Sequence, residues 1–99
     1  MPSKTIETVQ KLLESDLIGL TEAEQAYGNS WKKRGGIGAF MMLARKWDRI
    51  ENQVKTHDYD VLKALQADGS ETGILDDIRD LRRYLLLVES EIVIWKNQT

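Results

Sequence analysis

The chain has 99 residues, 41% hydrophobic and 30% charged, with a formal net charge of −2; this is the profile of one small domain with a real but modest core. It has no cysteine and a single histidine, His57, which excludes disulfides, thiolate nucleophiles and Cys-ligated metal centres and leaves no basis for a histidine zinc site. Between Lys32 and Arg49 lie six cations and one acid, Asp48, so this segment is +5 and the remainder −7. A local basic patch on an acidic chain suits a small anionic ligand and not a long nucleic acid.

The opening MPSKTIETVQ has no uninterrupted apolar stretch, and no later run approaches a membrane span. The expected address is therefore cytoplasmic, with no membrane partner. Ser3 is placed to cap a first helix, along which Ile6, Val9, Leu12, Leu13, Leu17 and Leu20 recur at helical spacing. Thr21-Glu22-Ala23-Glu24 has capping-box form and predicts a new or bent helix from Thr21, stopped by Gly28 and Asn29. A second helix is predicted from near Gly36 or Ile37 to about Lys55. Its stripe is Ile37, Phe40, Met41, Ala44, Trp47, Ile50 and Val54, with Arg45, Lys46 and Arg49 on flanking faces.

A short helix is expected from Tyr59 to about Ala67, capped by Asp58 and ended by Asp68-Gly69. The last helix spans residues 72–97, with Ser70 or Thr72 as its cap. Asp76, Asp77 and Asp80 complement its N-terminal dipole. Ile74, Ile78, Leu81, Leu85, Val88, Ile92 and Trp95 form a heptad seam along it. No segment reads as a strand, so the expected fold is all-α, a single domain of about four helices over residues 1–99. Leu75, Tyr84, Leu86, Leu87, Val93 and Ile94 widen the apolar face of the last helix beyond its seam. A helix apolar nearly all round has to be buried nearly all round. This chain is too short to surround it, which predicts a homo-oligomer built through the C-terminal helix; a wide core face with a few exposed leucines is the plain alternative.

Two constellations carry candidate chemistry. The segment 21–36 contains Tyr27, Asn29, Ser30 and Trp31 beside Lys32, Lys33 and Arg34, interleaved with glycines and followed by a helix N-terminus. Cations and backbone N–H groups there suit an anion, and the aromatic faces suit a stacked base. It is not a P-loop, since G-x-x-x-x-G-K-[ST] is absent; a solvated turn is the plain alternative. The second constellation is Asp77 and Asp80, three apart on one helix face, with Arg83 and Tyr84 following. Such a pair can hold Mg²⁺, yet it is only half of a hydrolytic site. Glu22 and Glu24 do not complete it, because Gln25 stands where a second acid pair needs a carboxylate. The plain alternative is dipole complementation and pairs such as Asp80 with Arg83. His57 reads as a helix-end or surface residue, and no serine has a histidine and acid arranged to activate it, so no catalytic residue is assigned.

The segments A-Y-G-N-S-W, A-R-K-W-D-R-I and D-I-R-D-L-R-R-Y resemble the nucleotide-modification-associated domain 1 family, small all-α proteins of bacteria and their phages. The family's features would fall on Tyr27, Gly28, Ser30 and Trp31, on Lys46 and Arg49, and on Asp77, Asp80 and Tyr84, over roughly residues 22–94. The arrangement is also distantly similar to all-α nucleoside triphosphate pyrophosphatases of the MazG type, which hold Mg²⁺ between two acidic pairs. Here only the second pair has a counterpart. The resemblance implies a nucleotide site with hydrolysis in question. By analogy of class it points to a phage-type sponge that sequesters cyclic nucleotide immune signals in the host cytoplasm.

The expected function is thus a non-catalytic nucleotide-binding protein that needs no cofactor. Its ligand is a small anionic nucleotide, met by Tyr27, Asn29, Ser30, Trp31, Lys32, Lys33, Arg34, Lys46, Arg49, Arg83 and Tyr84. The alternatives are a Mg-dependent pyrophosphatase with Asp77 and Asp80 as metal ligands, and a helical protein-interaction module.

Overall fold

A computed structural model describes residues 2–68 and 73–98 of the chain. The fold is all-α, as expected. Four helices, α1 (Lys4–Tyr27), α2 (Gly35–Lys55), α3 (Val61–Asp68) and α4 (Ile74–Asn97), account for most of the described residues, and there is no strand among them. The chain divides into two compact units, Met1–Lys33 and Arg34–Thr99.

In the first unit, the Ser3 hydroxyl accepts a hydrogen bond from the Ile6 amide at 3.2 Å and caps α1, as its position in the sequence indicates. The helix then runs unbroken through Thr21, which corrects the expected restart. The Thr21 hydroxyl donates back to the Leu17 carbonyl at 2.7 Å, so it is spent inside the helix and is not available as a cap. Gly28 ends α1 at φ 61 and ψ −134, a conformation open to glycine and costly for any side chain, with its amide bonded to the Glu24 carbonyl at 2.7 Å. Ile6, Val9, Leu12, Leu13 and Leu17 are exposed along α1, and Asp16 is buried. A single 3-10 turn, Ser30–Lys32, follows.

The second unit is built on α2 and α4, with α3 packed on both. Lys46 meets Asp80 and Arg49 meets Asp77; rising numbers on α2 face falling numbers on α4, so the two run antiparallel. Ile50 of α2, Ala64 of α3 and Ile74 of α4 are the buried centre, with Val54, Leu65, Ile78 and Leu81 packed against it. α2 begins at Gly35, marginally earlier than expected, and ends at Lys55 as expected.

The turn into α3 is where the sequence misleads. Asp58 and Tyr59 both take left-handed backbone angles, φ 59 and 58, so neither belongs to a helix. α3 starts at Val61 rather than Tyr59, and its cap is Asp60 rather than Asp58. The Asp60 carboxylate accepts from the amides of Leu62 and Lys63 at 3.0 and 3.1 Å, while Asp58 turns to the Lys63 ammonium at 3.6 Å. The expected stop at Gly69 and caps at Ser70 or Thr72 lie outside the described residues. α4 begins after Gly73, at φ 82, with Asp76 and Asp77 in its first turn. Of its seam, Ile74 is buried and Ile78 and Leu81 pack on the core, whereas Leu85, Ile92 and Trp95 are exposed. Among the described residues, no helix is long and apolar enough to cross a membrane.

Candidate functional site

Lys46, Arg49 and Gln53 follow one another on α2 at intervals of three and four, and Asp77 and Asp80 on α4 at an interval of three. Each set therefore occupies one helix face. Antiparallel packing turns the two faces toward each other. Asp77 is buried, 2% exposed, and a carboxylate taken from water at that cost has to be paired and fully hydrogen-bonded. It is: Oδ1 accepts from Arg49 Nε at 2.8 Å, and Oδ2 accepts from Gln53 Nε2 at 2.7 Å. Gln53 Nε2 donates also to the Arg49 carbonyl at 3.1 Å, which ties the amide to the helix that carries it.

The Lys46 ammonium lies between the two acids, 3.1 Å from Asp80 Oδ2 and 4.0 Å from Asp77 Oδ1. On the far side of Asp80, Arg79 reaches Asp80 Oδ1 at 3.4 Å and Asp76 Oδ1 at 3.3 Å. Three carboxylates (Asp76, Asp77, Asp80) thus face three cations (Lys46, Arg49, Arg79), and the cluster is neutral. A divalent ion bridging Asp77 and Asp80 would have to displace the Lys46 ammonium and strip Arg49 or Gln53 from Asp77. The residues present do not fit that ion. Among the described residues, no three carboxylate or imidazole side chains are gathered as a metal-binding group.

The remaining sequence-predicted residues are distributed along the chain. Tyr27 is the last residue of α1, 73% exposed. Asn29 and Ser30 are exposed, and Trp31 and Lys32 are half-buried in the 3-10 turn. Lys33, also exposed, closes the first unit. Arg34 opens the second as the exposed residue preceding α2. Its Cβ lies 2.7 Å from the place a Gly38 Cβ would take, so glycine at 38 lets the first turn close over Arg34. Arg83 and Tyr84 are half-buried on α4, one turn past Asp80. The structure thus gathers Lys46, Arg49, Asp77 and Asp80 in one cluster, whereas Tyr27, Asn29, Ser30, Trp31, Lys32 and Lys33 belong to the other compact unit.

Sequence reasoning overlooked Gln53. Its position was the available sign, four residues after Arg49 and seven after Lys46 on the stripe that carries both. Compared with protein-family models, curated proteins and solved structures, the chain finds no match.

Proposed function

We propose that the protein is a non-catalytic nucleotide-binding protein acting as a homo-oligomer, in its most specific form a sponge for cyclic nucleotide signals. One observation carries the non-catalytic reading: the Lys46 ammonium sits between Asp77 and Asp80, in the position a catalytic cation would need. An ammonium supplies charge balance without Lewis-acid activation of water or phosphate.

Binding is supported by what the cluster leaves outward. Arg49 meets Asp77 through Nε while its side chain is 60% exposed, so the guanidinium retains terminal amino groups for phosphate oxygens. Separately from this cluster, the first unit has the exposed ring of Tyr27 and the exposed charge of Lys33. Self-association is supported by the far end of α4. Leu85, Ile92, Val93, Ile94 and Trp95 are each about half exposed or more, and an apolar surface of this extent is uncommon on a monomer.

The test is calorimetry and thermal shift on the purified protein. The ligands are cyclic mono-, di- and trinucleotides and ordinary triphosphates, each with and without Mg²⁺, with the eluted ligand checked for integrity. The expected result is a metal-independent rise in melting temperature, from binding to the folded state alone, and intact ligand on release. Mg²⁺-dependent release of pyrophosphate, abolished by Asp77→Asn, would replace this reading with the pyrophosphatase. The absence of any nucleotide effect would leave the interaction module.

A further inference from the structure

Past Arg49, the same face of α2 continues with Asn52 and Gln53, three and four residues on, and with Thr56, the residue that caps the helix C-terminus. Where α2 gives way to α3, these three side chains line a cavity of about 380 Å³ together with His57, Ala64 and Ala67. That volume falls in the range of small-molecule sites. The lining is divided by chemistry: two alanine methyl groups from α3 make a low apolar wall, and two amides, a hydroxyl and an imidazole supply edge contacts. His57 is held where it is by the turn. Its amide bonds the Val54 carbonyl at 2.9 Å, its carbonyl accepts from the Asp60 amide at 3.0 Å, and the Tyr59 amide also bonds Val54, at 2.8 Å.

The Gln53 amide has a fixed sense. Its nitrogen touches two groups that can only accept, the Arg49 carbonyl and the Asp77 carboxylate, so the assignment of nitrogen and oxygen follows from chemistry. With both N–H groups spent, Gln53 has a carbonyl acceptor to offer a ligand. Asn52 offers a donor and an acceptor side by side, the pattern that pairs in two-point fashion with the amino group and ring nitrogen of adenine. Arg49 stands one helical turn before Gln53, about 6 Å along the axis, and its exposed guanidinium suits a phosphate.

We propose that this cavity is a nucleobase site for an amino-bearing purine. The base edge meets Asn52 and Gln53, its face lies near His57 and the alanines, and its phosphate is directed to Arg49. The proposal rests on the nucleotide-binding reading above, but it moves the base from the Tyr27–Trp31 segment to the α2–α3 junction.

The experiment is a ¹⁵N-edited NMR titration of the full chain with millimolar AMP, UMP and adenosine, followed in the Asn52 and Gln53 side-chain amides and the His57 backbone amide. AMP should move these signals saturably and bind at least fivefold tighter than UMP. Ala67→Leu fills the cavity from an exposed helical position with a good helix former. It should leave the circular dichroism unchanged and weaken AMP at least tenfold; Asn52→Leu should erase the preference over UMP. AMP binding that spares the cavity, moves Tyr27 to Lys33 and survives Ala67→Leu would overturn this site while leaving nucleotide binding intact. Adenosine binding as tightly as AMP would retain the base site and overturn the phosphate role of Arg49. No response to any of the three would overturn the site, and the reading beneath it would fall as well only if the cyclic nucleotides and triphosphates of the calorimetric screen also left the melting temperature unchanged.

Discussion

The two halves of α4 share one heptad and meet different surroundings. Ile74, Ile78 and Leu81 lie on or in the core made with Ile50, Val54, Ala64 and Leu65, while Leu85, Ile92 and Trp95 continue the same seam into solvent. Spacing and residue type do not distinguish the halves. What differs is what faces them: the first half packs against α2 and α3 and carries Asp77 and Asp80, whose hydrogen bonds to Lys46, Arg49 and Gln53 lock the register. A hydrophobic seam states which residues seek cover and leaves open what supplies it. A buried carboxylate has to meet particular donors, and so it does specify a partner.

Three substitutions test that contrast, in descending order of effect on folding. Ile74 is 1% exposed, and Ile74→Ala should cost about 3 kcal/mol through lost burial and a residual cavity. In a unit with so few buried residues, that lowers the melting temperature by at least about 12 °C, read by circular dichroism. A change of only a degree or two would mean that the covered half is no better packed than the exposed one.

Asp77→Ala comes next. A broken buried ion pair costs about 3–5 kcal/mol, but Arg49 is 60% exposed and returns largely to water. We expect about 2 kcal/mol in a urea melt, most of it from the unpaired Gln53 amide and the lost contact to Arg49. Arg49→Ala combined with Asp77→Ala should add little further cost; full additivity would show that the two side chains do not act together.

Ile92→Glu should have the smallest effect on the fold, because Ile92 is 51% exposed. The helical signal stays, and light scattering coupled to size exclusion should report the loss of self-association through this half of α4. An unchanged oligomer mass would place the interface elsewhere, and a monomeric parent protein would remove the oligomer from the proposal.

Much of the architecture was legible in the residues. The apolar spacing on the long helices, Ser3 as a cap and Gly28 as a stop all hold. The failures are local ambiguities settled by backbone geometry. A threonine three residues before an acid looks the same whether its hydroxyl caps a new helix or bonds back into the old one. Asp58, the expected cap, and Asp60, the observed one, are separated by the left-handed angles at Asp58 and Tyr59, which an Asp-Tyr pair does not announce. The site was half legible. Charged pairs on α2 and α4 stood out as a phosphate set and a metal set, but their mutual pairing is a relation between helices 28 and 34 residues apart in sequence.

The sequence by itself determined most of the secondary structure, because helix periodicity and signals such as Ser3 and Gly28 are carried by neighbours within a few residues of one another. It also determined the inventory of chemistry, a chain with no thiol, one imidazole and a surplus of cations near its middle. Only the tertiary structure decided that Lys46 lies between Asp77 and Asp80, that Gln53 presents an acceptor, and that the α4 seam is covered for half its length. Those outcomes depend on the packing of α2, α3 and α4, and charge or apolar surface has no effect on chemistry until packing sets what it faces.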